Sequence, residues 1–261
     1  MLRQGYYIVS AGGAGIGLAI CREIAAQGGT AVALDPFNAP AEPGAGILHY
    51  PCDVGDSAQV EALVAELAAG PMPIEGLVNC AGIAGPTGLI DSISAEDWQR
   101  VLGINVISAA ILIKNVSPVM KKQRRGAIVS VSSACTRNGF PQRAPYVVSK
   151  AALEMLSETM AMELGPWGIR SNVVVPGIVE GVRIEAVAQA QADTRGISFD
   201  EAIAEFTART SLKTMVSGED IAKSVRFLLS DEARHVSGQK LAVCGNFEGY
   251  SSEMVAPFAR T

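Results

Sequence analysis

Paired cysteines are missing from this chain. Its five cysteines, at positions 21, 52, 80, 135 and 244, form no Cys-x-x-Cys motif and their number is odd. That excludes a disulfide framework and a structural zinc site, since both need thiols in matched sets. No metal is expected, and the cysteines read as small core hydrophobes. An excess of basic charge is missing as well: with 21 Lys and Arg against 26 Asp and Glu and a net charge of −5, no nucleic-acid partner is expected. The chain runs from Met1 into Tyr6-Tyr7-Ile8-Val9 with no charged lead and no long apolar segment. Neither a signal peptide nor a membrane span is therefore expected, and a cytoplasmic address follows by default. No internal repeat or low-complexity tract interrupts the sequence.

What is present is enough apolar material for a large core: 49% hydrophobic residues over 261 positions, with 27 glycines, point to a single α/β domain. Short apolar runs at Tyr6–Ser10, Ala31–Leu34, Leu77–Asn79, Ala127–Ser132, Asn172–Val175 and Leu241–Val243 predict strands, several of them apolar on both faces as buried parallel strands are. Between them, Leu18–Gln27, Val60–Leu67, Trp98–Met120, Tyr146–Leu164 and Asp220–Leu229 carry apolar residues at three- and four-residue spacing and predict helices. The alternation predicts a doubly wound parallel sheet of Rossmann type in three αβα layers. In such a sheet ligands sit beyond the carboxyl ends of the strands. The one long segment outside the alternation, 178–216, reads as a substrate lid.

The first predicted strand runs into Ala11-Gly12-Gly13-Ala14-Gly15-Ile16-Gly17 and then into an apolar helix. Glycines let the backbone turn sharply and approach a pyrophosphate, and the free N–H groups of the new helix favour its charge. Ordinary turn chemistry is the plainer alternative. The second strand ends at Asp35, where a carboxylate accepts from the adenosine ribose hydroxyls and repels a 2′-phosphate, selecting NAD over NADP. Read plainly, Asp35 is a solvated turn residue before Pro36.

Tyr146 and Lys150 lie four residues apart at the start of a predicted helix, on one face and one turn from each other. A phenol ionises near ~pH 10, so forming its anion at neutrality costs roughly 4 kcal/mol, which an adjacent ammonium reduces. Lys150 is thus read as the activator of Tyr146. Ser133 follows the strand Ala127–Ser132 and would emerge beside the tyrosine to hold a substrate oxygen. Asn79 follows another strand, and Asn105 lies inside a predicted helix, an unfavourable interior position without a specific partner. Both asparagines are equally readable as a cap or a core hydrogen bond. Tyr-x-x-x-Lys by itself also fits a surface lysine beside a half-buried tyrosine.

Taken together and in this order, the residues resemble the short-chain dehydrogenase/reductase family over nearly the whole chain. Ser10-Ala11-Gly12-Gly13-Ala14-Gly15-Ile16-Gly17 resembles the family's Thr-Gly-x-x-x-Gly-x-Gly turn, Asp53-Val54 its adenine-contacting pair, and Asn79-Cys80-Ala81-Gly82 its Asn-Asn-Ala-Gly element. Asn105, Ser133, Tyr146 and Lys150 match its catalytic tetrad, and Pro176-Gly177, followed by Ile178 and Val179, its turn before the substrate loop. The resemblance implies an NAD-dependent alcohol dehydrogenase or carbonyl reductase with a small-molecule alcohol or carbonyl substrate. Tyr146 would exchange the hydroxyl proton, Ser133 orient the oxygen, Lys150 also bind the nicotinamide ribose, and Asn105 hold a relay water. It also implies a homotetramer or homodimer, with the last helices and strand in the interface.

Two departures stand out. Ala11 replaces the family's first glycine, and Val243-Cys244-Gly245-Asn246 stands where Val-Asp-Gly-Gly is common. The first bears on how the turn meets the pyrophosphate, the second on terminal packing and assembly. Arg183, Arg195, Arg209 and Lys213 in the lid segment allow an anionic substrate, against the plainer reading of a solvated amphipathic lid. Rival functions on related folds are a dehalogenating lyase, which replaces the lysine with arginine, and an epimerase, for which 261 residues leave little room. A 3-oxoacyl-type reductase and a non-catalytic NAD sensor complete the alternatives.

Overall fold

Apolar residues on both faces put the first strand at the middle of a sheet. All five residues of β1 (Tyr6–Ser10) are buried; Tyr7 and Val9 enter one apolar cluster and Tyr6 and Ile8 the opposite one, as the alternation of a pleated strand requires. The computed structural model describes residues 1–37 and 44–249, with the backbone alone for Arg183, Ala190, Gln191 and Thr194. After β1 come α1 (Gly15–Ala26), β2 (Thr30–Leu34), β3 (Ile47–Tyr50), α2 (Ser57–Ala69) and β4 (Ile74–Asn79). Next are α3 (Ala95–Leu102), a π-helical turn (Gly103–Ile107), α4 (Ser108–Gln123), β5 (Gly126–Val131) and the short α5 (Cys135–Asn138). The chain continues through α6 (Ala144–Leu164), β6 (Ile169–Pro176), α7 (Val182–Arg195), α8 (Phe199–Ala208), α9 (Gly218–Leu229) and β7 (Lys240–Val243).

The seven strands form one sheet in the order β3-β2-β1-β4-β5-β6-β7, and every neighbouring pair is parallel. The order reverses between β1 and β4, so the crevice beyond Ser10 and Asn79 is the topological switch point where ligands bind in such sheets. Ile20 and Ile24 of α1 with Ile221, Val225 and Leu228 of α9 cover one face. Val60 and Leu63 of α2 with Leu112, Val116 and Met120 of α4 cover the other. Each such side chain contributes about 1.5–3 kcal/mol on burial, so the three layers are held by apolar contact on both faces. A third cluster joins Ala188 and Ala192 of α7 and Ala202 and Phe206 of α8 to Val173 and Val175 of β6. The expected lid is therefore two helices packed on the end of the sheet.

Three sequence expectations need correction. Strand β3 was not anticipated, because of its four residues only Ile47 is buried and an edge strand wetted on one side lacks a continuous apolar run. The predicted helix Trp98–Met120 is broken by the π turn, in which the Ser108 N–H reaches back five residues to the Gly103 carbonyl; periodicity does not register one extra residue in a turn. The strand expected at Ala127–Ser132 runs Gly126–Val131, which leaves both Ser132 and Ser133 beyond its end. By length and composition alone the helical run Ala95–Gln123 is apolar enough to cross a membrane, yet its Leu112, Ile113, Val116 and Met120 are buried in the second cluster.

Helix α9 starts with a capping box: the Asp220 N–H donates to Ser217 Oγ at 3.1 Å, and the Ser217 N–H donates to Asp220 Oδ2 at 3.0 Å. The Ser217 N–H and hydroxyl, both donating to Asp220 Oδ2, hold the Asp220 carboxyl below its ordinary value, so its contribution is present above the usual carboxylate range and lost as pH falls through the lowered value. Ser217→Ala is expected to cost about 1 kcal/mol in urea unfolding at neutral pH. The part of the deficit that depends on the carboxylate should shrink as pH falls below the ordinary carboxylate range and through the lowered folded-state value.

Candidate active site

The glycine turn is shaped by two close approaches. A Cβ on Gly12 would fall 2.7 Å from Ala33 Cα, and one on Gly17 would collide with the Ala11 carbonyl, so the turn packs flat against β2 and closes on itself. Ala11 itself has φ 53°, a left-handed conformation that glycine adopts without penalty and alanine does not. At the head of α1 no side chain caps the helix and no acidic residue occupies its first turn. Its orphan N–H groups are left for an anion, and beside Gly15 there is open space.

Around this turn the predicted nucleotide contacts converge at the carboxyl edge. Asp35 ends β2 buried, with Oδ1 accepting the Phe37 N–H at 3.0 Å. Asn79 donates to Ser130 Oγ at 3.3 Å, while its Oδ1 is buried without a hydrogen-bond partner, an acceptor that a ligand donor would satisfy. Ser10 is different: its hydroxyl accepts the N–H groups of Cys80 and Ala81 at 2.9 and 3.0 Å, so it ties β1 to the loop after β4 from below the turn. Asp53 is exposed and accepts the Gly55 N–H, and Val54 is buried beside Val32 and Leu34. Gly177 donates to the Val243 carbonyl at 2.9 Å, and Ile178 accepts the Val216 N–H. An uncapped helix, a glycine cradle and an orphaned acceptor together fit a dinucleotide.

Lys150 is buried, with Nζ donating to the Val131 carbonyl at 2.8 Å and lying 5.9 Å from the centroid of the half-buried Tyr146 ring. A Cβ on Gly82 would come within 3.2 Å of that ammonium, so the Asn79-Cys80-Ala81-Gly82 loop closes directly over it. Burial pushes the Cys80 thiol up to about 11 against the pull of Lys150, which keeps it protonated at neutrality. Asn105 sits in the π turn with both amide donors engaged, one to Ser149 Oγ at 2.8 Å and one to the Ile83 carbonyl at 3.0 Å, while Oδ1 accepts the Ile83 N–H. Ser149 in turn donates to the Tyr146 carbonyl at 2.7 Å. Ser133 is the second residue after β5, with Oγ 3.4 Å from the Cys135 nitrogen. Sequence reasoning missed Ser149, whose only signal was its place three residues after Tyr146, and also missed Ile83.

In the segment 178–216, Arg195 is bound to Glu205 through two contacts of 2.6 and 2.7 Å, which staples α7 to α8. Lys213 donates to the Ala208 carbonyl, and the Arg183 side chain lies outside the described residues. The arginines expected to meet an anionic substrate therefore include one that joins α7 to α8. The terminal departure also finds its reason. Asn246 takes φ 56°, which asparagine tolerates better than most residues, and Cys244 packs against Gly177, where any Cβ would fall 2.7 Å from its Cα.

Because Ala11 holds a conformation that costs an L-residue roughly 1–2 kcal/mol, Ala11→Gly is expected to raise stability in urea unfolding by up to about 1 kcal/mol once the added chain entropy of glycine is subtracted. NADH affinity, read by fluorescence titration, should be unchanged or tighter. A destabilised Ala11→Gly protein would show that the turn carries no strain.

Comparison with known proteins agrees with this geometry. The family model described as enoyl-(acyl carrier protein) reductase matches residues 11–248. A 2,3-dihydro-2,3-dihydroxybenzoate dehydrogenase of Bacillus subtilis (strain 168) is 32% identical over 241 residues, 88% of this chain and 91% of that protein. Among solved structures, an NAD+-bound xylitol dehydrogenase superposes with a TM-score of 0.84 at 28% identity, covering 93% of this chain and 98% of the other. A variant of actinorhodin polyketide ketoreductase with NADPH gives 0.84 at 27% identity, over 96% and 100%. Seven parallel strands, the glycine turn and the Tyr146–Lys150 pair thus belong to one lineage, and the chain is a member of the short-chain dehydrogenase/reductase family.

Proposed function

We propose that the chain, as one domain with 178–216 as its substrate lid, interconverts a secondary alcohol and its ketone with NAD as cofactor. The observation that carries this is the Lys150 ammonium, held beneath the Tyr146 ring and bonded to the strand end that leads into Ser133. Tyr146 Oη takes the hydroxyl proton in oxidation and returns it in reduction, while Ser133 Oγ holds the substrate oxygen. When bound, NAD supplies the hydride acceptor. Lys150 lowers the cost of the phenolate and holds the nicotinamide ribose. Since both amide donors of Asn105 are engaged, a relay water there would use acceptors: the second lone pair of Oδ1 or the main-chain carbonyl in the π turn. Gly12, Gly13, Gly15, Ile16 and Gly17 would cradle the pyrophosphate, Asp53 and Val54 the adenine, and Asn79, Ala81, Gly82 and 176–179 the nicotinamide end. Asp35 would take the adenosine ribose, and five free cysteines support a reducing, cytoplasmic setting.

A panel of secondary alcohols, sugars, hydroxy acids and ketones with NAD(H) and NADP(H), read by nicotinamide absorbance, tests the proposal. Tyr146→Phe is expected to lose roughly 10²–10⁴-fold in kcat, and Asp35→Ala to shift the NAD/NADP ratio of kcat/KM towards NADP by about tenfold. Full hydride-transfer rate in Tyr146→Phe would sink the acid/base assignment, and higher kcat/KM with NADP in the unaltered enzyme would sink the choice of NAD.

For assembly, the proposal is a homotetramer. Val148, Met155 and Met162, seven residues apart on α6, are 46, 57 and 72% exposed, and Leu241 is exposed on the edge strand β7. Exposed apolar side chains on a helix face and on an edge strand support contact between copies. Analytical ultracentrifugation of Met155→Glu/Met162→Glu is expected to show a smaller assembly than the unaltered protein; an unchanged mass would exclude α6 as an interface.

A further inference from the structure

Behind the catalytic helix lies a buried carboxylate that the mechanism does not use. Glu154 is on α6, one turn beyond Lys150, and is buried among elements of the sheet. Its Oε1 accepts two hydroxyls: Ser132 Oγ at 2.6 Å and Thr136 Oγ1 at 2.7 Å. These two residues bracket Ser133 in sequence. Ser132 Oγ also lies 3.4 Å from the Lys150 carbonyl, and the Thr136 hydroxyl lies 2.9 Å from the carbonyl of Ser133 itself. The other oxygen, Oε2, takes the Lys240 ammonium of β7 at 3.1 Å, and Lys240 is shared with Glu158 at 2.7 Å.

We infer that Glu154 is a positioning residue: its Oε1 fixes the segment that carries Ser133 against the helix that carries Tyr146 and Lys150. The inference rests on the reading of those three as catalytic. The physical case is one of geometry. Ser133 lies just past the end of β5, where the Ser132 and Ala134 N–H groups still bond to the Val174 and Pro176 carbonyls of β6 at 2.9 and 2.8 Å; those bonds tie the segment to the sheet, not to α6, and the loop after it reaches only a four-residue helix. Two short hydroxyl bonds to one ionised oxygen are about twice as strong as neutral ones and fix that loop from both sides. The Lys240 charge balances the carboxylate, so that burying it is not prohibitive. Alignment of the serine and tyrosine oxygens depends on this shared acceptor, and small misplacements at a reacting centre cost large factors in rate.

The test separates acceptor geometry from charge, using steady-state kcat and NADH affinity on the folded enzyme. Glu154→Ala is expected to lower kcat by about tenfold or more, with NADH affinity within about twofold, since the glycine turn is untouched. Glu154→Gln keeps an oxygen facing both hydroxyls and is expected to retain at least about a third of kcat, although the lost Lys240 pair lowers its Tm. Thr136→Val should lower kcat, Thr136→Ser should restore it, and Thr136→Val should add nothing once Glu154 is Ala. A purely structural residue gives no such rescue and no such non-additivity. The inference is overturned if kcat of Glu154→Ala stays within about twofold of the unaltered enzyme, if the Gln variant is as slow as Ala, or if Thr136→Val leaves kcat unchanged. Should Glu154→Ala not fold, the Gln variant and the Thr136 pair decide. Tyr146→Phe, assayed alongside, separates the failures: if it is inactive while the Glu154 variants are normal, only this inference falls.

Discussion

A buried ammonium sets the terms for the rest of the site. Lys150 is 4% exposed, and a charge taken that far from water costs several kcal/mol unless surrounding oxygens replace its hydration. The Val131 carbonyl, at the end of β5, supplies one such oxygen. The loop of Gly82 must then come close without a side chain, and Asn105 Oδ1 lies beside the same point. β5, α6, the loop after β4 and the π turn therefore meet at one atom. Moving any of them uncovers the charge, which explains why four distant pieces of chain keep a common geometry without a metal cluster or a disulfide among the described residues.

How much of this was legible in the sequence depends on whether each constraint is local. Tyr146 and Lys150 are visible at four-residue spacing because the helix itself brings them together, and the glycine turn is visible because a sharp backbone path selects residue type position by position. Asn105 stands out as polar inside an apolar helix and through the family resemblance, but its partner Ser149 lies 44 residues away, and no spacing rule reaches that far. Glu154 was hidden for the same reason, since its partners belong to the residue after β5, to α5 and to β7. β3 escaped because an edge strand carries half the apolar signal of a central one. Ser10 looked like part of the phosphate cradle by position, yet its hydroxyl is engaged by Cys80 and Ala81, a fact of three-dimensional neighbourhood.

The two departures from the family pattern are related. Ala11 and Asn246 each stand where the family commonly has glycine, and each keeps a positive φ of 53° and 56°. The backbone path has been retained while the residue that makes it easy has not. Such strain persists only where surrounding contacts over-determine it. For Ala11 the contacts are visible: Gly12 lies against Ala33 and Gly17 against the Ala11 carbonyl, so an easier φ at Ala11 would move two close packings at once. Asn246 donates to Ser211 Oγ at 2.7 Å, which ties its conformation to the loop after α8.

The two ends of the sheet differ in how completely their polar groups are satisfied, and that difference locates function independently of any motif. At the amino end a cavity of about 390 Å³ is lined by Arg3, Glu75, Arg125, Arg170 and Asp231. Most of its charges are mutually engaged: Arg3 with Asp231, Arg125 with Glu75, and Arg170 with the carbonyls of Leu228, Leu229 and Ser230. An anion binding to these three arginines would have to break bonds already made. At the carboxyl end the fold leaves the N-terminus of α1 uncapped and the Asn79 Oδ1 acceptor buried without a partner. Unsatisfied groups of that kind cost about 1–3 kcal/mol each, a cost that a bound dinucleotide would remove. Of the two concave regions, the larger reserve of binding energy therefore lies where the protein's own hydrogen bonds are incomplete.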